Sequence, residues 1–361
     1  MTTAGAFDSQ KLPFPKNMQK DPALYECLLV TGGKGFIGSH LVDYIYSKFE
    51  HRTKIVIVDS LTYCANTHYT CPGAIFECVD ICDEKAMMSI ILKHRVDGIL
   101  HLAAESDVSR SFANPYPFLE TNVKGTLVLL ECMKKINAPT IHLTFQGDSE
   151  KDTEHKIKKF LYCSTDEVYG TAYQTKHTED QTQLIPTNPY SASKASGEMF
   201  CQAYFQSYRL NIVISRMNNV YGTRQYPEKV IPRFVSRLAV GLLPQIQGSG
   251  QQKRTFLHVK DACRGLFTVF HKGQSGQIYN IGAHEEITIL ELATRTTQIM
   301  NELTGKALKC YFDQIENRPF NDLSYDMSTD RIENELGWKP EISFDEGFPE
   351  VVRDIYAHLR K

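Results

Sequence analysis

Long apolar runs are missing from this sequence. No stretch of its 361 residues reaches the ~18 mainly apolar positions of a membrane helix, so no membrane partner is expected. An excess of charge is missing too: 40 basic and 42 acidic residues give a net charge of −2. That balance leaves no electrostatic footprint for nucleic acid or for an acidic lipid surface. The ten cysteines form no CxxC pair, and the spacing of Cys71, Cys78 and Cys82 fits no zinc module, so no metal site is expected. Free thiols in a reducing, cytoplasmic compartment are the reading. The first 20 residues hold Lys11, Pro13, Pro15, Lys16 and Lys20 but no apolar core of signal-peptide length. Residues 1–24 are expected to be a flexible tail. Internal repeats and low-complexity tracts are likewise absent.

What is present is alternation. Short β-branched runs at Cys27–Val30, Lys54–Asp59, Ile75–Val79, Gly98–His101 and Lys159–Ser164 interleave with helical patterns at Phe36–Lys48, Glu84–His94 and Tyr116–Ile136. Strands alternating with helices imply βαβ crossovers and a parallel sheet covered on both faces. The predicted fold is α/β, a Rossmann-type doubly wound parallel sheet over residues 25–222. A smaller C-terminal lobe is expected over 223–361, although the chain can cross back into the sheet. The polar run Pro139–Lys158 is too long for an ordinary connection and reads as a surface insertion.

Thr31-Gly32-Gly33-Lys34-Gly35-Phe36-Ile37-Gly38 follows the first strand and opens the first helix. Gly32 permits the tight turn, Gly35 lets a pyrophosphate approach the backbone, and Gly38 brings helix and strand together. The free N–H groups and positive dipole end of the helix then face the phosphates. Asp59 ends the second strand 59 − 38 = 21 positions later, the place of a carboxylate that binds the adenosine ribose and repels a 2′-phosphate. NAD is therefore the expected cofactor, in preference to NADP.

Tyr190-Ser191-Ala192-Ser193-Lys194 places Tyr190 and Lys194 on one face of a helix. Lys194 beside the phenol would draw its pKa down toward neutrality, so that Tyr190 can take the proton of a sugar hydroxyl while hydride leaves the same carbon. The same spacing also arises in a solvated helix start. Upstream, Ser164-Thr165-Asp166-Glu167-Val168-Tyr169-Gly170 stands just past a buried strand, on the usual active-site rim of such folds.

Together with Leu102-Ala103-Ala104-Glu105-Ser106, these segments resemble extended short-chain dehydrogenases, and among them the nucleoside-diphosphate-glucose 4,6-dehydratases. The resemblance runs from about Leu28 to Trp338, and the adjacent Asp166 and Glu167 are its most specific element. It implies that Glu167 removes the carbon-5 proton of the 4-keto sugar and that protonated Asp166 helps the carbon-6 hydroxyl leave as water. Thr165 would bind the carbon-4 oxygen alongside Tyr190. It further implies cofactor contacts from Gly32, Gly35, Phe36, Ile37, Gly38, Asp59, Ser60, Thr62, Asp80, Ile81, Leu102, Ala103, Ala104, Ser106, Thr121, Tyr190, Lys194 and Asn219. The substrate would meet Ser106, Thr165, Asn218, Lys229, Val230, Gln245, Gln247, Arg254, Asn280, Arg318 and Asn321, with Asn218 and the two arginines at the diphosphate.

Two departures bear on the substrate. Gln247 stands where bacterial dTDP-glucose enzymes usually carry an aromatic, and Phe320-Asn321 stands where they tend to have Gly-His. The choice between dTDP- and UDP-glucose stays open, since one methyl is worth only ~1–3 kcal/mol of discrimination. The implied reaction is an NAD-dependent hydro-lyase step toward rhamnose and other deoxysugars. A 4-epimerase or decarboxylase of the same fold would need Tyr190 and Lys194 without the acid pair. A non-catalytic NAD-binding scaffold would leave the Tyr, Lys, Asp and Glu set without a purpose. A homodimer through Tyr116–Ile136 and Ser191–Ser207 is the implied assembly.

Overall fold

All five residues of β1 (Cys27–Thr31) are buried, as expected of a central strand with helices on both faces. The computed structural model describes residues 25–49, 52–138, 155–173, 175–308 and 311–360. The expected tail and most of the polar insertion lie outside these residues. Around β1 run β2 (Lys54–Val58), β3 (Ala74–Glu77), β4 (Gly98–His101), β5 (Lys159–Thr165) and β6 (Ile212–Met217). A short β7 (Asn219–Tyr221), β8 (Gln245–Gln247) and β9 (Lys253–His258) follow, and then β10 (Ile278–Ile281), β11 (Glu286–Thr288) and β12 (Asp313–Ile315).

Seven of these strands form one parallel sheet in the order β10-β6-β5-β4-β1-β2-β3. Strand order reverses between β1 and β4, and in open α/β sheets the crevice beyond the carboxyl ends at that point binds ligands. The chain does cross back: β10, well beyond Gly222, pairs with β6. β7, β9 and β11 make a second, three-stranded sheet, and β8 pairs with β12.

The helices are α1 (Phe36–Phe49), α2 (Glu84–His94), α3 (Val108–Ala113), α4 (Tyr116–Phe118), α5 (Gly125–Asn137) and α6 (Pro189–Tyr208). Beyond β7 come α7 (Val230–Ala239), α8 (Val259–Lys272), α9 (Ile289–Thr304), α10 (Asp330–Leu336) and α11 (Phe344–Leu359). Of these, α7, α9 and α11 pack in the lobe, whereas α8 and α10, expected there, pack on the seven-stranded sheet. Residues Leu119–Lys124, between α4 and α5, are π-helical, a distortion frequent at functional sites. α6 begins where a capping box fixes it: the Asn188 side chain accepts from Ser191 N–H, Ser191 caps back, and Pro189 takes the first turn.

Three apolar clusters hold these layers. On one face of the sheet α1 and α8 pack through Leu41, Ile45, Phe267 and Phe270. On the other α2, α5 and α6 meet through Met87, Leu129, Met133 and Cys201. The lobe has its own cluster, in which Phe234 of α7, Leu292 of α9 and Phe348 of α11 converge. Each such side chain contributes about 1.5–3 kcal/mol by leaving water. Among the described residues no helix is long and apolar enough to cross a membrane, and no group of residues could hold a metal ion. The nine described cysteines are free thiols.

Candidate active site

The glycine turn is shaped by close approach. Gly32 has φ +70°, and a Cβ on it would lie 2.7 Å from the Ala103 nitrogen. A Cβ on Gly38 would lie 2.1 Å from the Gly32 carbonyl oxygen. The backbones of β1, β4 and α1 therefore meet with no side chain between them, leaving the N-terminus of α1 open to a crevice of about 330 Å³. Asp59 stands at its rim, accepting Lys34 N–H at 3.0 Å and Leu61 N–H at 2.9 Å, and burial pushes its carboxyl up. A bare glycine cradle at a helix N-terminus, with one carboxylate at the end of the next strand, is the donor and acceptor set a dinucleotide requires. Every residue expected at the cofactor lines this crevice, and Cys64, Cys163, Ser164 and Gln225 join them.

Sequence reasoning missed what holds the β4 end in place. Thr31 Oγ1 accepts from Leu102 N–H and Ala103 N–H, both at 3.2 Å, and donates to His101 Nδ1 at 2.7 Å. His101 Nε2–H then donates to Thr126 Oγ1 at 3.0 Å, an assignment made from the network. Burial first, and the Lys194 charge second, hold His101 neutral with its pKa lowered to about 3. Neither signal is local, since Thr31 and His101 are 70 residues apart.

The paired acids occupy different surroundings. Thr165 caps the turn Asp166–Tyr169 by accepting Glu167 N–H at 3.3 Å. Asp166 is 2% exposed and, contrary to the expected direct contact with substrate, does not line the crevice; its carboxylate accepts from Asn218 Nδ2 at 2.9 Å and Thr165 Oγ1 at 3.1 Å. Burial, with the Glu167 charge adding to it, lifts Asp166 from 3.8 to about 7 against those hydrogen bonds. Glu167 instead faces the crevice, with Asn188 Nδ2 at 3.0 Å and the Tyr325 hydroxyl at 3.4 Å from Oε2. Asn188 and Tyr325 are further residues that sequence reasoning missed; a helix-cap pattern at Asn188-Pro189 is the one local signal that could have found the first.

Tyr190 and Lys194 both line the crevice from α6, one turn apart. The expected effect of the lysine on the phenol needs correction. Burial, followed by the charge of Glu167, pushes Tyr190 above its ordinary value, while the hydroxyl of Thr165 opposes this. Lys194 is engaged elsewhere: Nζ lies 4.3 Å from the centroid of the Tyr162 ring, and burial lowers its own pKa.

A second cavity of about 310 Å³ opens beside the first, and Ser106, Glu167, Asn219 and Lys229 line both. Of the residues expected at the substrate, Val230, Gln245, Gln247, Arg254, Arg318 and Asn321 line it, and Arg233, not anticipated, donates to Gln245 Oε1 at 2.8 Å. Gln245 and Gln247 share a face because Ile246 between them is buried in the lobe. Arg254 and Arg318 both donate to Asn321 Oδ1, at 3.1 and 2.8 Å.

Two expectations fail here. Asn280 lies in neither cavity: fully buried on β10, it accepts from the Tyr169 hydroxyl at 2.8 Å and donates to Ser328 O at 2.9 Å. It steadies the turn that carries Asp166 and Glu167 instead of touching a substrate. Asn218 does not reach the second cavity, because its amide is committed to Asp166; its neighbour Asn219 lines both.

A nucleotide crevice at the switch point, with a Tyr–Lys helix beside it, defines an extended short-chain dehydrogenase. More narrowly, the chain belongs to the family described as GDP-mannose 4,6 dehydratase, whose model matches residues 29–351. It is 37% identical over 331 residues to the dTDP-D-glucose 4,6-dehydratase of Mus musculus, covering 90% of this chain and 87% of the mouse protein. The crystal structure of DesIV, a dTDP-glucose 4,6-dehydratase from Streptomyces venezuelae with NAD bound, matches with a TM-score of 0.80. Its identity is 36%, and the match covers 92% of this chain and 98% of that one. The UDP-glucose 4-epimerase of Thermotoga maritima also matches, with a TM-score of 0.79, 29% identity and coverage of 92% and 99%.

Proposed function

We propose that this protein is an NAD-dependent hydro-lyase that converts dTDP-glucose to its 4-keto-6-deoxy derivative, a step toward deoxysugars. The observation that carries the reading is the division between two consecutive acids: Asp166 buried and lifted to about 7, Glu167 open to both cavities. An elimination needs one acid that holds a proton and one base that lacks it, and unequal environments provide this at one pH. The bound dinucleotide would accept a hydride from carbon 4 and return it to carbon 6, its cationic ring favouring the phenolate of Tyr190.

The chain's own residues do the rest. Tyr190 takes the carbon-4 hydroxyl proton, with Thr165 beside it. The resulting ketone acidifies carbon 5, and Glu167 takes that proton. Asp166 lines neither cavity, so its proton reaches the carbon-6 hydroxyl, which leaves as water, through the Thr165 hydroxyl that contacts it. The carbon-5 proton returns from Glu167 as carbon 6 is reduced, and the proton left on Tyr190 makes good the one Asp166 has spent, by exchange through solvent, so the enzyme ends as it began. Lys229, Arg254 and Arg318 would hold the diphosphate in the second cavity, with Gln245 and Gln247 toward the base.

A 4-epimerase would share Tyr190 and Lys194 but has no use for a protonated acid beside Thr165. Incubation with dTDP-glucose and UDP-glucose side by side, with product masses read, tests the reading. Loss of one water from the dTDP sugar is expected; an isomer of unchanged mass would refute it. A homodimer is part of the proposal, supported by Tyr116, Leu119, Met199 and Tyr208, large apolar side chains left exposed on the α4–α5 segment and α6. A reducing, cytoplasmic location accords with the free thiols.

A further inference from the structure

Lys34 is the one charged residue of the glycine turn Thr31–Gly38. Its backbone is tied on both sides: N–H donates to Asp59 Oδ2 at 3.0 Å, and the carbonyl accepts from Asn66 N–H at 2.8 Å. Its side chain turns away from the crevice and is 6% exposed. Nζ donates to the Tyr69 carbonyl and stands 4.6 Å from the centroid of the Phe76 ring and 5.8 Å from that of Tyr69. Among the described residues no carboxylate lies within ion-pair distance of it. An ammonium group is thus buried against one carbonyl and two ring faces, a costly arrangement that cation–π contact only partly offsets.

What these contacts hold is a connection without a helix. Parallel strands are ordinarily joined through a helix, yet between the end of β2 at Val58 and the start of β3 at Ala74 there is none. Ser60, Thr62, Cys64 and Ala65 of that irregular segment form the crevice wall near Asp59. Tyr69 is gripped from its other side as well: its hydroxyl donates to Asp43 Oδ1 of α1 at 2.8 Å, and Arg224, paired with Asp43 at 2.8 Å, lies 4.9 Å above its ring. Lys34 closes a belt from the glycine turn through Tyr69 to α1, in the place where a crossover helix would give support.

We propose that Lys34 is a positioning residue that straps residues 60–76 across the adenosine end of the dinucleotide and so retains it between turnovers. The proposal rests on the NAD-dependent reading. A reaction that returns the hydride to its own product consumes no dinucleotide, so a fastened wall on this side does not slow the cycle.

The test is calorimetric titration of NAD, and separately of dTDP, into the full-length protein and its Lys34→Met and Lys34→Arg variants. Lys34→Met is expected to weaken NAD about tenfold or more while leaving dTDP affinity unchanged. Lys34→Arg keeps the charge, the donors and the ring contact, and is expected to restore NAD affinity to within a few-fold. Phe76→Leu on the edge strand β3 removes the ring under Nζ; it is expected to shift NAD affinity in the same direction by less, and stands in if Lys34→Met does not fold. Unchanged NAD affinity in the variants that fold, or equal losses for NAD and dTDP, overturns the strap. Failure of the unmodified protein to bind NAD would overturn the cofactor reading instead.

Discussion

Asn218 donates its amide to Asp166 at 2.9 Å across 52 residues of sequence, and this contact keeps the buried carboxyl in place beside Thr165. Asp166 is thereby an acid stored in a dry site, and its titration has consequences for both rate and stability. Its folded pKa, about 7, stands above the ordinary 3.8. Between those values the folded protein keeps a proton that the unfolded chain has released, so stability falls as pH rises through this window. Asp166→Asn removes the cost of burying the ionised form, and Thr165 can turn its hydroxyl to accept from the new amide. The gain in urea unfolding is expected to be on the order of 2 kcal/mol larger at pH 8 than at pH 5. Water elimination by the parent should decline as pH rises past about 7, and the residual elimination of this variant should lack that decline.

Glu167→Gln keeps the size of the side chain and its contact with Asn188 but removes the base. Turnover should fall about 10²–10⁴-fold. Oxidation at carbon 4 depends on Tyr190 and should persist, so the near-ultraviolet absorbance of reduced nicotinamide should build up on the enzyme after mixing with substrate.

Asp59 sets the cofactor by charge. Asp59→Ala withdraws the carboxylate that repels a 2′-phosphate and accepts from the ribose hydroxyls. The ratio of NADP to NAD affinity should rise about 10²-fold, as removal of a like-charge contact of several kcal/mol permits. Direct titration of each dinucleotide checks this.

Behind the catalytic turn, Arg216 of β6 and Glu198 of α6 form a bidentate pair with side chains 2% and 0% exposed, and the guanidinium lies 4.5 Å over the ring of Tyr169. Glu198→Gln strands a buried cation and should cost about 3–5 kcal/mol in urea unfolding. Adding Arg216→Met should recover part of that loss, because the orphaned charge goes with it.

The parts of the site that sequence revealed are those whose logic is local. The glycine triplet, the acid at the end of the second strand, the consecutive Asp166 and Glu167, and the Tyr190–Lys194 spacing each sit within one turn or one strand end. The strand and helix pattern was legible for the same reason. The contacts that set the chemistry are not local: Tyr325 reaches Glu167 across 158 residues, and Arg216 meets Glu198 only because β6 lies beneath α6. Nor does a motif tell which of two adjacent polar residues reaches the second cavity as well as the first. Asn218 and Asn219 differ in that respect because successive side chains along an extended chain point to opposite sides. Asn280 was misplaced for a related cause: on β10 its side chain points toward Tyr169 and the interior. Within the long helical pattern beginning at Tyr116, the π-helical turn Leu119–Lys124 left no mark on the apolar periodicity.

The central claim is that one bound dinucleotide borrows a hydride from carbon 4 and returns it to carbon 6 of the same sugar. Turnover of dTDP-glucose carrying deuterium at carbon 4, followed by NMR of the product, examines this directly. Deuterium in the new carbon-6 methyl group is the predicted result. Deuterium still at carbon 4 in a sugar that has lost no water would contradict the account.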